Sequence, residues 1–300
     1  MNRLINSLDE RKISYRLNEP MRLYTTFKTG GPAELFIVPR DEDELKQILC
    51  FCSDTDTDYF VLGKGSNLLV SDDGIRNKAV IYIGDDFGYI KEIDDCTFEA
   101  GAGASVASIC KYALSKSRSG LEFAYGIPGS VGGAAFMNAG AYGGEMKDVL
   151  TEITHLSPDM QIETISAADA ELSYRHSVYK KNGCIVLSAK AKLSKDSKDN
   201  IKERMNDFLG RRKDKQPLEY PSAGSTFKRP EGYFAGALIQ ECNLKGKSVG
   251  GAQVSEKHAG FVINKDNATS TDILNLIDLI KNTVKTETGV TLEPEVIVLR

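Results

Sequence analysis

The sequence predicts an α+β protein. Three observations predict it. Strand and helix patterns mix along the chain without strict β-α-β alternation. Two glycine-rich stretches interrupt them, and no internal repeat or low-complexity segment is present. The 300 residues suffice for two domains or three subdomains.

Taken in order, residues 1–20 read as a short amphipathic helix followed by an extended segment. A turn over 24–32 leads into a strand at 33–38. Residues 41–53 are predicted helical, with Leu45, Ile48, Leu49 and Cys52 on one face and acids in the first turn. The strand 59–62 runs straight into the first glycine-rich turn. Further strands are expected at 79–83 and 97–100. Ser105 is expected to cap a helix to about residue 116, with Val106, Ile109, Cys110 and Ala113 inward. Residues 150–156 and 161–164 resemble a hairpin around Ser157-Pro158-Asp159. A strand is expected at 184–193 and a charged helix, a plausible domain boundary, at 197–213. The turn-rich 216–230 precedes a helix at about 234–242, the segment 248–254 and a strand at 260–264. Ser270 or Thr271 is expected to cap a long helix carrying Ile273, Leu274, Ile277, Ile280 and Val284 on one stripe, ended by Gly289. The chain closes on a strand at 296–299.

The longest uncharged run lies between Glu122 and Glu145 and spans 22 residues. Its length would suit a membrane span. Its seven glycines, with Pro128, Ser130 and Asn138, break a helix and leave backbone N–H groups bare, so the reading is a pair of binding loops and not a span. The net charge of −4 disfavours a general nucleic-acid binder. The six cysteines form no C-x-x-C pair. Cys50 and Cys52 point to different helix faces, so free thiols in a reducing compartment are expected. The first 20 residues hold acids and no apolar core, unlike a secretion signal or transit peptide, and a cytoplasmic location is expected. His155, His176 and His258 share no metal-ligand spacing, and no metal is expected.

Five stretches carry candidate chemistry. In Val61–Leu68, VLGKGSNL, Gly63 and Gly65 let the backbone turn tightly and approach a ligand, and successive N–H groups with Ser66 and Asn67 form an anion nest. It matches neither the P-loop nor G-x-G-x-x-G, since Leu68 takes the third glycine position; a simple tight turn is the other reading. The second is GIPGSVGGA from Gly126, followed by NAGAYG from Asn138. A buried loop must satisfy its own backbone, and two glycine-lined loops in succession are better explained if a ligand takes some of those bonds. In Ser173-Tyr174-Arg175-His176-Ser177 the arginine can bind a carboxylate bidentately, although local sequence suits a surface arginine better. In 221–230, Gly224 would expose the Ser225 hydroxyl on a turn; the pattern is not G-x-S-x-G, so a nucleophile is not expected. In Leu292-Glu293-Pro294-Glu295-Val296, a carboxylate precedes an apolar strand and reads equally as a solvated acid.

The ordered set TTFKTGGPAELF, VLGKGSNLL, GLEFAYGIPGSVGGAAFMNAGAYGG, SYRHS, PLEYPSAGSTFKRPEGYFAGALI, GGAQVSEKHAGFVIN and LEPEV closely resembles the UDP-N-acetylenolpyruvoylglucosamine reductase family, in its shorter branch, from about residue 20 to the end. The resemblance implies a two-subdomain FAD-binding fold of the p-cresol methylhydroxylase and vanillyl-alcohol oxidase type over 1–78 and 79–195, with a C-terminal α+β substrate-binding domain over 196–300. It implies non-covalent FAD held by Gly63, Gly65, Ser66, Asn67, Leu68, Ile127, Pro128, Gly129, Ser130, Gly132, Gly133, Asn138 and Gly140. It implies NADPH as co-substrate, which reduces the flavin before UDP-N-acetylglucosamine enolpyruvate takes its place and receives the hydride. Arg175 and Glu295 match the residues that stabilise the enolate, and Ser225 the acid that protonates the adjacent carbon. Glu295 must hold a proton to serve an anion, and Lys213 or Lys228 would ease proton loss from Ser225. Lys213, Arg229 and Gln253 are the implied substrate contacts. A cytoplasmic monomer with no nucleic-acid or membrane partner is expected.

Two positions depart from the family. Ile297 stands where an arginine is common, in a tail that lacks the usual glycine. Arg229 stands where the longer branch has asparagine, and would bind the diphosphate instead. A flavin oxidase of the same fold is the alternative; such enzymes often link flavin through histidine, and neither glycine loop contains one. A non-catalytic nucleotide-binding module is the alternative of a different class.

Overall fold

A computed structural model describes all 300 residues, Met1–Arg300. The chain forms two compact units, each discontinuous in sequence. One comprises Met1–Tyr15, Ile37–Lys64 and Val80–Arg212. The other comprises Arg16–Phe36, Gly65–Ala79 and Lys213–Arg300.

The first unit is built on a five-stranded antiparallel sheet in the order Ile162–Ser166, Leu150–Leu156, Ile185–Lys192, Thr97–Gly101, Ile90–Glu92. The central strand Ile185–Lys192 buries its first five residues in succession, as a strand covered on both faces must. In register, Ala189 faces Ile153 on one side and Ala100 on the other. The edge strand Ile162–Ser166 is largely exposed, and the hairpin expected at 150–164 is present. Helices Asn2–Arg11 and Glu42–Asp54 pack together and bury Leu4, Leu8, Leu45, Ile48 and Leu49. Each such side chain contributes about 1.5–3 kcal/mol when fully removed from water. Asp41 caps the second of these helices by accepting from Glu44 N at 2.8 Å. Cys50 is exposed and Cys52 buried, on different faces as the spacing predicts, and all six cysteines are free. Ser105 caps Val106–Ser115, whose buried face is Val106, Ile109, Cys110 and Ala113.

Within the uncharged run lies a short helix, Val131–Phe136. The glycines there were expected to break a helix. Ser130 offsets their weakness by capping it, accepting from Gly133 N at 3.3 Å, and the helix packs on the central strand. Tertiary burial overrides propensity over so short a span.

The second unit packs the long helix Ser270–Thr288 and the short helix Ala235–Glu241 with a three-stranded antiparallel sheet, Ser248–Val249, Ala252–Val254 and Val262–Asn264. Ile273, Leu276, Ile277, Ile280 and Val284 of the long helix join Phe27, Leu69, Phe227 and Val262 in one core. Gly289 ends the helix in the left-handed conformation. The cap at its other end is neither Ser270 nor Thr271. Thr269 Oγ1 accepts from Asp272 N and Asp272 Oδ2 accepts from Thr269 N, both at 3.0 Å, a capping box. The Ser270 and Thr271 N–H groups are instead taken by the Asp72 carboxylate, at 2.7 and 3.0 Å. The C-terminal strand Ile297–Leu299 pairs in parallel with Leu68–Val70. No helix is long and apolar enough to cross a membrane.

Candidate active site

In the first unit the two glycine-rich stretches meet. A Cβ on Gly63 would lie 2.5 Å from Ser130 Oγ, so glycine is required where the loop after strand Asp58–Leu62 touches the second loop. Ser130 is buried at the N-terminus of Val131–Phe136. The loop before it is held by Ile127 N donating to Ala124 O and by Gly129 O accepting from Val106 N; Pro128 is exposed. Val131 N and Gly132 N donate to Ala104 O and Ala102 O, and a Cβ on Gly132 would lie 2.8 Å from Ala102 Cβ. Gly132 therefore packs against the scaffold, while Gly133 next to it is exposed. Gly140–Ala141 and Gly144–Glu145 form a hairpin whose two turn residues, Tyr142 and Gly143, have φ of 55° and 88°, the combination of a type I′ turn.

The same unit carries Arg175 in a two-residue turn closed by reciprocal backbone bonds between Ser173 and His176. Arg175 has φ of 54°, lies 5.0 Å over the Tyr174 ring, and donates from Nη2 to Gly140 O at 3.4 Å. It thus touches the second glycine loop. The resemblance assigns Asn138 to the FAD grip. Its buried amide instead donates to Glu145 Oε2 at 2.6 Å and to Ser173 O at 2.9 Å, so both N–H bonds are spent on protein.

In the second unit, Gly65 has φ of 58°, and a Cβ there would lie 1.9 Å from Tyr24 O. Thr26 N and Oγ1 donate to Gly65 O and Ser66 O. Asn67 Nδ2 donates to Glu295 O at 3.1 Å, and Asn67 O accepts from Ile297 N at 3.0 Å. Leu68, buried, starts the strand paired with Ile297. Glu295 N in turn donates to Thr226 O at 2.8 Å. Ser225, the residue before Thr226, is exposed after Gly224, while Thr226 is fully buried and accepts from Val262 N at 2.9 Å. Ser225 and Glu295, 70 positions apart in sequence, are thereby held on neighbouring segments.

The remaining positions are placed as follows. Lys228 Nζ lies 3.0 Å from Glu293 Oε2 in an exposed ion pair. Lys213 is exposed and its carbonyl accepts from Lys257 Nζ at 2.6 Å. The Arg229 guanidinium lies 4.0 Å over the Phe234 ring. Gln253 Nε2 donates to Gly246 O and Ser248 Oγ.

Two groups escaped sequence reasoning, one of them at these loops. Arg212 packs its Cδ so close to Gly126 that a Cβ there would lie 2.9 Å away. Burial pushes its pKa below the ordinary arginine value, opposed by Tyr142, and no carboxylate pairs with it. The nearby Tyr142 ring stacks on Phe208 at 5.0 Å. In the other unit, the buried Gln216 Oε1 accepts no hydrogen bond. Arg212 sits in a charged helix among neighbours of the same type, so nothing in the sequence singles it out.

Two family models match the chain. The FAD binding domain model covers residues 33–166, and the UDP-N-acetylenolpyruvoylglucosamine reductase C-terminal domain model covers 216–299. A UDP-N-acetylenolpyruvoylglucosamine reductase from Agathobacter rectalis is 50% identical over 290 residues, 93% of this chain and 92% of the relative. The one from Syntrophomonas wolfei is 48% identical over 281 residues, 94% and 93%. The crystal structure of the Thermus caldophilus reductase superposes with a TM-score of 0.81 at 35% identity, covering 96% of this chain and 99% of that one. The fold and the glycine-lined loops thus define an FAD-dependent oxidoreductase. The chain belongs to the UDP-N-acetylenolpyruvoylglucosamine reductase family.

Proposed function

We propose that this chain reduces the enolpyruvyl group of UDP-N-acetylglucosamine enolpyruvate to give UDP-N-acetylmuramate, using NADPH and bound FAD, in peptidoglycan precursor synthesis. Family membership gives the reaction; the observation that ties it to this chain's residues is the linkage of Glu295 to the Ser225–Thr226 segment. A cytoplasmic monomer is the working state proposed, with 1–78 and 79–195 as FAD-binding subdomains and 196–300 binding substrate.

The residues fit an FAD. In the second loop Pro128 and Gly133 are exposed on either side of the buried cap Ser130, and Arg212 brings a cation without a carboxylate partner against Gly126. Gly63, Gly65, Ser66, Asn67, Leu68, Ile127, Pro128, Gly129, Ser130, Gly132, Gly133 and Gly140 would hold it, with Arg212 added to the set. When bound, the flavin supplies a hydride donor. The chain's own residues then handle charge and proton. Arg175 would pair with the substrate carboxylate, where negative charge grows, and Glu295, protonated, would share that charge. Preorganised stabilisation of this kind is usually the largest catalytic effect. Ser225, on an exposed turn over a buried threonine, would give its hydroxyl proton to the neighbouring carbon. Lys213, Arg229 and Gln253 would contact the sugar nucleotide. Ser225→Ala tests the assignment: NADPH should still bleach the flavin, while reoxidation by the enolpyruvyl substrate should nearly stop. Equal slowing of both half-reactions would remove Ser225 as the acid.

A further inference from the structure

We infer that Asn138 and Ser177 are the positioning residues for Arg175, an inference that rests on the proposed role of Arg175 toward the substrate carboxylate. Arg175 occupies the left-handed region at φ 54°, a conformation sterically unfavourable for a non-glycine residue. Such a residue stays in place only if its surroundings determine it. The turn is fixed at both ends from one segment. Before it, Ser173 O accepts from Asn138 Nδ2 at 2.9 Å. After it, Ser177 Oγ donates to Phe136 O at 2.6 Å. Both Asn138 and Ser177 are fully buried.

Asn138 ties three segments with one amide. Its second N–H goes to Glu145 Oε2 at 2.6 Å, and its Oδ1 accepts from Lys147 N at 2.9 Å. Two acceptors and one donor around the group fix its orientation, and no other residue type of this size supplies that pattern. An aspartate would set a carboxylate against Glu145 and the Ser173 carbonyl. Arg175 also reaches Gly140 O, two residues beyond Asn138. The glycine-rich run therefore does more than line a cofactor: through Asn138 it sets where the guanidinium stands. A misplacement of about 1 Å at a reacting centre can cost on the order of a hundredfold in rate.

The test uses the flavin-loaded enzyme in two separate half-reactions, with Asn138→Ala and Ser177→Ala made alone and in an Arg175→Ala background. Each single variant should slow flavin reoxidation by substrate by roughly tenfold to a hundredfold, with flavin content, visible spectrum and NADPH-driven reduction retained. In the Arg175→Ala background each should add less than about twofold, because groups that act as a unit are not additive. Additive slowing, or equal slowing of both half-reactions, would overturn the inference while leaving the function intact. Normal reoxidation in Arg175→Ala itself would remove the assigned role of Arg175, and the inference with it. Ser177→Ala supplies the reading should Asn138→Ala not fold.

Discussion

Replacing Arg204 by alanine probes the anchor of the uncharged run. Glu122, immediately before that run, is 7% exposed, and Arg204 is 40% exposed. Arg204 Nη2 lies 2.7 Å from Glu122 Oε1 and Nε 3.2 Å from the same oxygen, while Nη2 also reaches Asp196 Oδ2 at 2.6 Å and Ser119 Oγ at 3.0 Å. Removing one partner of a buried pair costs about 3–5 kcal/mol. Here water reaches Arg204, and Gly120 N still donates to Glu122 Oε2 at 2.7 Å, which lowers the expected loss to about 2–3 kcal/mol. At roughly 2–4 °C per kcal/mol for chains of a few hundred residues, the thermal midpoint should fall by about 5–10 °C. The double replacement Glu122→Met with Arg204→Met should recover most of that loss, because the penalty belongs to the stranded carboxylate. Burial raises the Glu122 pKa, but Arg204 and the Gly120 amide outweigh it and hold the group below the usual carboxylate range. Its contribution is therefore present above the unfolded carboxylate pKa and is lost as pH falls through the depressed folded value. Calorimetry or circular dichroism of the three proteins between neutral pH and pH ~3 reads both effects. A single variant within about 1 °C of the parent at neutral pH would refute the reasoning.

Glu295→Gln should spare flavin reduction by NADPH and slow reoxidation by the enolpyruvyl substrate; near-normal turnover would remove Glu295 from the site. Gly65→Ala, with its Cβ 1.9 Å from Tyr24 O, should lose flavin on purification, whereas Gly210→Ala, in a helix with nothing within 4 Å of the new carbon, should stabilise by about 0.5–1 kcal/mol. Absorbance per protein and urea midpoints separate the two. Asp72→Ala should cost about 1–2 kcal/mol through the N-terminus of Ser270–Thr288. Burial raises the Asp72 pKa, yet the Ser270 and Thr271 donors hold it below the ordinary value, so that cost should shrink as pH falls through the folded pKa; a constant difference would exclude the carboxylate.

Periodic elements were legible because their cause is local. The stripe of Ser270–Thr288 and the buried face of Val106–Ser115 follow from spacing alone. The cap at Thr269 was misread because Ser270 and Thr271 are equally good capping residues by type; Asp72, distant in sequence, decided between them. The pairing of Leu68–Val70 with Ile297–Leu299 has no local signature either, since three apolar residues at each end could pair anywhere. The discontinuous second unit is built from such long-range contacts. At the site, glycine spacing and the ordered motifs pointed to the loops and to Arg175, Ser225 and Glu295. What Asn138 and Arg212 touch depends on which segments fold back onto them, and their spacing does not encode it.

The central claim is that this chain passes reducing equivalents from NADPH to an enolpyruvyl sugar nucleotide. The purified protein should be yellow and should release FAD on acid or heat treatment. Its flavin, bleached anaerobically with NADPH, should regain its oxidised spectrum on mixing with UDP-N-acetylglucosamine enolpyruvate, with formation of UDP-N-acetylmuramate. A flavin that stays reduced in the presence of that substrate would contradict the account.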